Sequence, residues 1–111
     1  MSPRAEIMQG TLDLMVLRTL ETLGSLHGWG ISQRLQQISE DTFQLNQGTL
    51  YPALVRLEQR GWIRSKWGVS EHNRRARFYS LTATGRRQLE AERRQWGIVS
   101  GIINRLLATE E

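Results

Sequence analysis

The most informative pattern in this chain is a predicted helix with two different faces, from Asn46 to Gly61. Leu50, Leu54 and Leu57 recur at a spacing that puts them on one stripe of a helix, and such a stripe needs a core to cover it. The other side carries polar or flat side chains, namely Gln47, Thr49, Tyr51, Pro52, Val55, Arg56 and Gln59. This second side is therefore available to a partner outside the core.

The start of this helix carries one favourable and one unfavourable signal. Asn46 is a good N-cap, because its side chain can accept from the free N–H groups of the first turn. Pro52 would then fall in the second turn, where it removes one backbone hydrogen bond. Two interpretations stay open: the helix begins nearer Leu50, or it bends at Pro52.

Apolar spacing predicts two earlier helices, from Ile7 to Leu23 and from about Trp29 to Ser39. The second has a core stripe of Ile31, Leu35 and Ile38. The first has one face formed by Leu12, Val16, Leu20 and Leu23, which Met8, Leu14 and Met15 widen. A helix that is apolar on several sides is usually buried on several sides. We therefore expect its second side to meet another subunit, the alternative being a single well-covered core helix.

The remaining segments predict turns, strands and a final helix. Ser25 to Gly30 is a glycine-rich turn, and the pair Phe43 and Leu45 suggests a short edge strand. Two strands, Trp62 to Val69 and Arg75 to Leu81, flank a polar loop of hairpin length, so a basic hairpin should project from the helical body. Thr82 or Thr84 then caps a helix that runs to about Leu107.

The final helix ends in a heptad-like apolar pattern. Leu89, Trp96 and Ile103 occupy equivalent heptad positions, and Val99 and Leu106 occupy the other seam position. The rest of the chain is too small to cover this stripe as well as its own core, so pairing with a second copy is the expected solution. The alternative is that the helix folds back on the first helix of its own chain.

Composition narrows the class of protein. The 111 residues suggest one globular unit, with no cysteine and no apolar stretch long enough to span a membrane, and we expect a cytoplasmic location. The net charge of +4 is unevenly distributed, because the segment from Arg60 to Arg87 holds eight basic residues against Glu71 alone. Such a block suits a phosphate-binding surface, although it is also compatible with a solvated basic face.

An enzyme is not expected from these residues. His27 lies in a glycine-rich turn and His72 in the hairpin loop, and neither has a partner at a spacing typical of a catalytic triad or a metal site. The stretch GTLYPALV, which begins at Gly48, lacks the Gly-Lys-Ser/Thr end of a phosphate loop. We therefore predict no catalytic residues, no metal and no cofactor.

Four stretches together resemble the PadR family of bacterial transcriptional regulators. They are GTLDLMVLRTL at Gly10–Leu20, LHGWGISQRL at Leu26–Leu35, GTLYPALVRLEQRGWI at Gly48–Ile63 and RRARFYSLTATG at Arg74–Gly85. The length is similar to that of the small subfamily with a single C-terminal helix. Trp29 and Phe78 stand where the family commonly has tyrosine, so both positions keep an aromatic ring.

The resemblance implies a mainly α fold with a small β-hairpin: a winged helix-turn-helix plus a C-terminal dimerisation helix. Residues 1–81 would form the DNA-binding domain, to which the first helix adds dimer contacts, and residues 82–111 the dimerisation helix. It further implies a homodimeric repressor of neighbouring genes on a pseudo-palindromic operator, with the Gly48–Gly61 helix in the major groove and the hairpin on the backbone or minor groove. A winged-helix dimer that acts mainly in protein interaction, with weak non-specific DNA binding, is the alternative.

Candidate contact residues follow from both arguments. For double-stranded DNA they are Gln47, Thr49, Tyr51, Pro52, Arg56, Lys66, Arg74, Arg75 and Arg77. Alternation along the second strand places Arg75 and Arg77 on one side, whereas Arg56 fits a DNA contact or a solvated helix charge equally well. Some family members bind phenolic acids or aromatic drugs at the dimer interface, so Trp96, Met8 and Met15 are candidates for a small aromatic effector. The alternative for Trp96 is a plain interface contact.

Overall fold

The computed structural model describes residues 9–42 and 45–109. Its helices are α1 (Gln9–Leu23), α2 (Gly28–Ile38), α3 (Gln47–Gln59) and α4 (Ala83–Ala108), and its strands are β1 (Leu26–His27), β2 (Ile63–Val69) and β3 (Arg75–Leu81). This architecture confirms the predicted class, mainly α with a small β-hairpin. Ile7, Met8 and Phe43, which belong to predicted elements, lie outside the described residues.

The core forms where the apolar stripes of the first three helices meet. Leu50, Leu54 and Leu57 of α3 are fully buried, as the helical spacing predicts. Their partners in the buried cluster are Leu12, Val16, Leu17, Leu20, Ile31, Leu35, Ala53, Ile63, Tyr79 and Leu89. The predicted core positions Leu23 and Ile38 are wrong, since both side chains are exposed. Each is the last residue of its helix.

The third strand of the sheet lies where the sequence does not predict one. The order of the sheet is β1-β3-β2, with both neighbouring pairs antiparallel. That strand, β1, lies in the segment interpreted as a glycine-rich turn, and it pairs Leu26 with Tyr79 and His27 with Phe78. The expected edge strand before α3 is not found at Leu45, which is outside any strand and packs against the core. The sheet edge is thus supplied by the turn before α2.

Side-chain caps fix where the helices begin. Asn46 accepts from the backbone N–H of Thr49 at 2.9 Å, which confirms the predicted N-cap. Helix α3 therefore starts at Gln47, not near Leu50, and continues past Pro52 to Gln59. Thr82, not Thr84, caps α4 by accepting from the N–H of Gly85 at 2.9 Å.

Helix α4 starts in very close contact with the loop between α3 and β2. The N–H of Thr82 donates to the carbonyl oxygen of Trp62 at 3.1 Å, so the first turn of α4 lies directly against that carbonyl. A Cβ atom at Gly85 would lie 1.9 Å from the same oxygen. Gly85 is therefore required for steric reasons, because only a residue without a side chain fits against this oxygen.

The two halves of α4 have different surroundings. Leu89 is fully buried in the core of its own chain, beside Leu14 and Met15 of α1. Its assignment to the dimer seam is therefore wrong, because a side chain already covered within one chain has no surface left for a second copy. Further along, α4 exposes a run of large apolar side chains: Trp96, Ile98, Val99, Ile102, Ile103, Leu106 and Leu107. Within the described ranges, none of the helices is long and apolar enough to cross a membrane.

Candidate nucleic-acid interface

The first two turns of α3 present the side chains predicted to contact DNA. Gln47, Thr49, Tyr51 and Pro52 are all exposed. Gln47 is also tied to α2, since its Nε2 donates to Ser32 Oγ at 3.3 Å. The outward face of α3 is therefore open to a partner but anchored to the preceding helix.

Tyr51 lies beside a second tyrosine at the foot of the hairpin. Burial raises the pKa of Tyr79 to about 12, and the neighbouring Tyr51 contributes in the same direction. The hydroxyl of Tyr79 thus stays protonated throughout the physiological range. Half of the Tyr51 side chain remains exposed, so its ring and hydroxyl can still reach an external group.

Two arginines of β3 stack on one tryptophan of β2. The guanidinium carbon of Arg75 lies 4.6 Å from the ring centroid of Trp67, and that of Arg77 lies 5.4 Å from it. Both distances are within the range of cation–π attraction. The arrangement confirms that Arg75 and Arg77 point the same way, and it holds their charges at one place on the sheet.

A chain of polar contacts joins this stack to α3. Ser65 Oγ donates to Glu58 Oε2 at 2.6 Å, and Arg77 Nε donates to Ser65 Oγ at 2.9 Å. A guanidinium nitrogen of Arg77 also lies 3.9 Å from the Glu58 carboxylate. Arg77 is therefore oriented and partly neutralised, whereas no acidic side chain among the described residues pairs with Arg75.

Other predicted basic contacts are more scattered. Lys66 pairs with Phe78 across the sheet, so it lies on the face opposite the Trp67 stack, because successive side chains of a strand alternate. Arg74 is exposed in the hairpin turn, at the edge of the surface formed by Arg75 and Arg77. The structure thus brings Arg74, Arg75 and Arg77 together and leaves Lys66 apart from them.

Arg56 is the one predicted DNA contact that the structure contradicts. Its guanidinium binds the carboxylate of Asp13 on α1, whose side chain is almost completely buried. Only about a quarter of the Arg56 side chain is exposed, at 24%. The residue neutralises a buried acid, and a buried charge needs such a partner. Arg56 therefore joins α3 to α1.

We expect Arg56→Met to lower the free energy of unfolding by roughly 3 kcal/mol, because it leaves Asp13 buried without its partner. Urea denaturation followed by circular dichroism measures the change. The double variant Asp13→Leu/Arg56→Met should regain most of that stability, since no buried charge remains. If Arg56→Met alone leaves the stability unchanged but makes DNA binding less dependent on salt, Arg56 is a phosphate contact instead.

A cleft of about 750 Å³ separates the start of α3 from the hairpin. Its walls include Tyr51 from α3, Trp67 and Arg75 from the hairpin, and Trp29 from the first turn of α2. Trp29, Trp67 and His72 are not among the site residues predicted from the sequence. The hairpin register would have identified Trp67, because a strand pair that matches Val69 with Arg75 also places Trp67 opposite Arg77.

Contacts between the hairpin loop and the start of α2 close one side of this cleft. His27 caps α2 through Nδ1, which accepts from the N–H of Gly30 at 2.9 Å, while its Nε2 lies 3.5 Å from the Glu71 carboxylate. The pKa of Glu71 lies below its ordinary value, because its own backbone N–H donates to it and because His27 and His72 are near. The ring of His72 meets Trp29 edge-on at 5.9 Å.

The cavity that contains Met15 does not include the other described effector candidate, Trp96, in its lining. Met15 lines a small cavity of about 280 Å³ together with Leu14, Arg18, Leu89 and Arg93. Trp96 lies outside its lining and is 52% exposed, and Met8 belongs to the undescribed N-terminus.

Comparison with known proteins places this fold in a family. The model of the PadR-like family of transcriptional regulators matches residues 16–91. A PadR-like transcriptional regulator from Bacillus cereus is 28% identical, with a TM-score of 0.79 over 92% of this chain and 96% of that one. A transcriptional regulator from Clostridium thermocellum is also 28% identical, with a TM-score of 0.79 over 87% and 93%. The uncharacterised protein X of Lysinibacillus sphaericus is 29% identical over 101 residues, which are 91% of this chain and 92% of that protein. These regulators are not enzymes, and this chain belongs to the PadR-like family of transcriptional regulators.

Proposed function

We propose that two copies of this chain form a repressor that binds a pseudo-palindromic operator. The observation that carries the proposal is that the exposed start of α3 and the Arg75–Trp67–Arg77 stack border the same cleft. A helix and a basic hairpin arranged in this way can engage one groove of DNA and the adjoining backbone together. Such a protein acts in the cytoplasm, where bacterial DNA lies.

Each exposed side chain of this face has a distinct role in the proposal. Gln47 and Thr49, at the leading end of α3, reach base edges, and the exposed ring of Pro52 offers an apolar contact. Tyr51 packs on a sugar and donates its hydroxyl to a phosphate. Phosphate contacts come from Arg74, Arg75 and Arg77, and Lys66 adds a further charge from the opposite face of the hairpin.

The dimer is supported by the exposed half of α4. Trp96, Val99, Ile103 and Leu106 follow a heptad spacing, and all four are exposed in the single chain. A second copy would cover them, and the outer side of α1 would widen the contact. In this proposal residues 1–81 carry the DNA contacts. Residues 82–111 pair the subunits, and the first turns of α4 complete the core of each chain.

The proposal also includes release of the repressor by a small aromatic molecule at the dimer seam. Trp96 of each subunit would form the flat surface, and the cavity at Met15 would open toward it from α1. A seam ligand on the two-fold axis binds once per two chains. That stoichiometry, measured by calorimetric titration, is the readout that tests it.

The experiment that tests the function is binding of the purified protein to DNA upstream of its own gene. Fluorescence anisotropy at two salt concentrations, with unrelated DNA as competitor, gives both specificity and the number of phosphate contacts. Specific binding that survives the competitor supports an autoregulating repressor. Weak binding that is equal for all sequences would favour the alternative, a winged-helix dimer used mainly for protein interaction.

We expect Arg75→Gln to weaken operator binding and to reduce its dependence on salt. One phosphate contact is lost per subunit, so the slope of log affinity against log salt should fall by about 2 per dimer. Arg94→Gln is the matched control, because it removes the same charge from an exposed position on α4 far along the chain from the hairpin. If both variants bind alike, Arg75 does not touch the DNA backbone.

A further inference from the structure

We infer that a clamp of four side chains, His27, Trp29, Glu71 and His72, holds the hairpin at the angle at which it meets DNA. His27 and Glu71 are its central pair. They are positioning residues, which act through the arginines of the hairpin and not by touching DNA. The inference rests on the proposed binding of DNA by α3 and the hairpin, to which it adds what fixes the hairpin in place.

The part of the hairpin that carries the arginines lacks support from the third strand. Strand β1 ends at the row in which His27 pairs with Phe78. Trp67, Arg75 and Arg77 lie beyond that row, where β2 and β3 form a two-stranded ribbon. A two-stranded hairpin is at best marginally stable on its own in water, so its orientation depends on contacts made by other elements.

This ribbon already has one anchor. Through Ser65 and Glu58, α3 holds Arg77 in the middle of β3. The loop beyond it closes on itself, since the N–H of Ser70 donates to the carbonyl oxygen of Arg74 at 2.8 Å. Such an internal bond shapes the loop but leaves its direction open. A second anchor, at the loop, would therefore fix the direction of the hairpin.

The clamp supplies that second anchor. The carboxylate of Glu71 lies between two histidines, with Oε2 3.5 Å from Nε2 of His27 and Oε1 3.9 Å from Nε2 of His72. Trp29 closes the circuit, because its ring centroid lies 6.2 Å from that of His27 and 5.9 Å from that of His72. Two successive residues of the loop are therefore held by residues on either side of the junction between β1 and α2.

His27 is prepared for this contact by a hydrogen bond within its own segment. Its Nδ1 accepts from the N–H of Gly30 at 2.9 Å and thereby caps α2. A neutral imidazole that accepts at one nitrogen carries its proton on the other, so Nε2–H is the donor that faces Glu71. The side chain of His27 is only 12% exposed, and its ring lies 5.3 Å from that of Phe78. The ring therefore has little freedom to turn away from the loop.

The clamp also decides where the acid of the basic segment lies. The pKa of Glu71 is below its ordinary value, because its own backbone N–H donates to it and histidines are near, so the carboxylate is ionised at neutral pH. Glu71 lines a cavity with His27 and Phe78. Arg74 and Arg75 border the cleft beside α3, whose lining does not include Glu71. The clamp therefore keeps this negative charge out of the cleft that the proposed phosphate contacts border.

Two substitutions at Glu71 test the clamp at equal charge. Glu71→Gln and Glu71→Ala both remove one negative charge, but only glutamine keeps an oxygen that can accept from Nε2–H of His27. By fluorescence anisotropy, we expect the alanine variant to bind the operator roughly 3-fold or more weakly than the glutamine variant. The slope of log affinity against log salt should be the same for both, because no phosphate contact is lost. Glu90→Gln and Glu90→Ala, at an exposed position on α4, are the matched control pair and should bind alike.

Hydrogen exchange measures whether the hairpin itself loosens. The amides of residues 68–76 should exchange faster in Glu71→Ala than in Glu71→Gln, whereas those of α2 should not differ. His27→Asn completes a double-variant cycle, because asparagine keeps an oxygen that can cap Gly30 but has no Nε2. In that background, most of the difference between the two Glu71 variants should disappear. A difference that persists in full would arise from another contact and would overturn the inference.

The two readouts separate the clamp from the proposed function. Equal exchange in the hairpins of both Glu71 variants overturns the clamp, whatever their affinity for DNA. Faster exchange in Glu71→Ala without weaker operator binding overturns the positioning role, since the hairpin would then be clamped for no gain in binding. If the wild-type protein has no specific affinity for DNA, the repressor proposal fails and the positioning role fails with it, while the exchange difference still decides whether the clamp exists.

Discussion

Gly85→Ala should destabilise the protein by about 3 kcal/mol or more, the largest loss we expect from one added methyl group. The new Cβ would lie 1.9 Å from the carbonyl oxygen of Trp62 and 2.9 Å from Leu81 Cδ1. The first of these neighbours is backbone, and the N–H of Thr82 already donates to it, so it cannot move aside without disturbing the start of α4. Thermal unfolding followed by circular dichroism measures the loss.

The matched control for this change is Gly97→Ala on the same helix. Nothing lies within 4 Å of a Cβ added at Gly97, so alanine there should stabilise α4 by up to about 1 kcal/mol through its better helix propensity. Opposite signs at Gly85 and Gly97 separate close contact from propensity. A Gly85→Ala protein with wild-type stability would show that the first turn of α4 tolerates a wider separation from Trp62.

Ile103→Glu should convert the proposed dimer into a monomer that still folds. The side chain of Ile103 is 46% exposed in the single chain, so the core does not depend on it. In the dimer, the substitution would place a carboxylate of each subunit in an apolar seam. Operator affinity should then fall by roughly 100-fold or more, because each half-site would be bound without the help of the other.

Analytical ultracentrifugation and operator anisotropy measure the two effects of that substitution. Arg94→Gln is the control, since it also changes the charge by one unit and lies on α4 outside the heptad positions of the seam. A variant that remains dimeric would place the subunit contact elsewhere. One that becomes monomeric but keeps full operator affinity would contradict binding to a two-fold site.

Local rules were enough to predict most of the fold. The structure has the leucine stripe of α3 and the caps Asn46 and Thr82 as expected, because each depends on residues within a few positions of each other. For the second cap, Thr84 was an equal candidate. The β2–β3 hairpin was found for the same reason. Strand β1 was missed because it has two residues in a glycine-rich stretch, and its partners lie about fifty positions away.

The errors at the site have a common physical origin. Arg56 looked free because Asp13, which neutralises it, is 43 positions away in the sequence and in a different helix. Leu89 shares the heptad spacing of Trp96 and Ile103, and periodicity does not tell which chain will cover a side chain. Trp67 was overlooked because its importance comes from the register of two strands and not from its neighbours in sequence.

The uneven burial of α4 has an evolutionary consequence. Its early residues Gly85 and Leu89 are buried within their own chain. The large apolar side chains from Trp96 onward are exposed, so a second subunit could contact them. In the proposed dimer, changes confined to the second half can therefore alter partner choice and leave the proposed DNA-binding surface intact. After gene duplication, a few such changes would keep the two products from mixing, since mismatched apolar seams disfavour the hybrid.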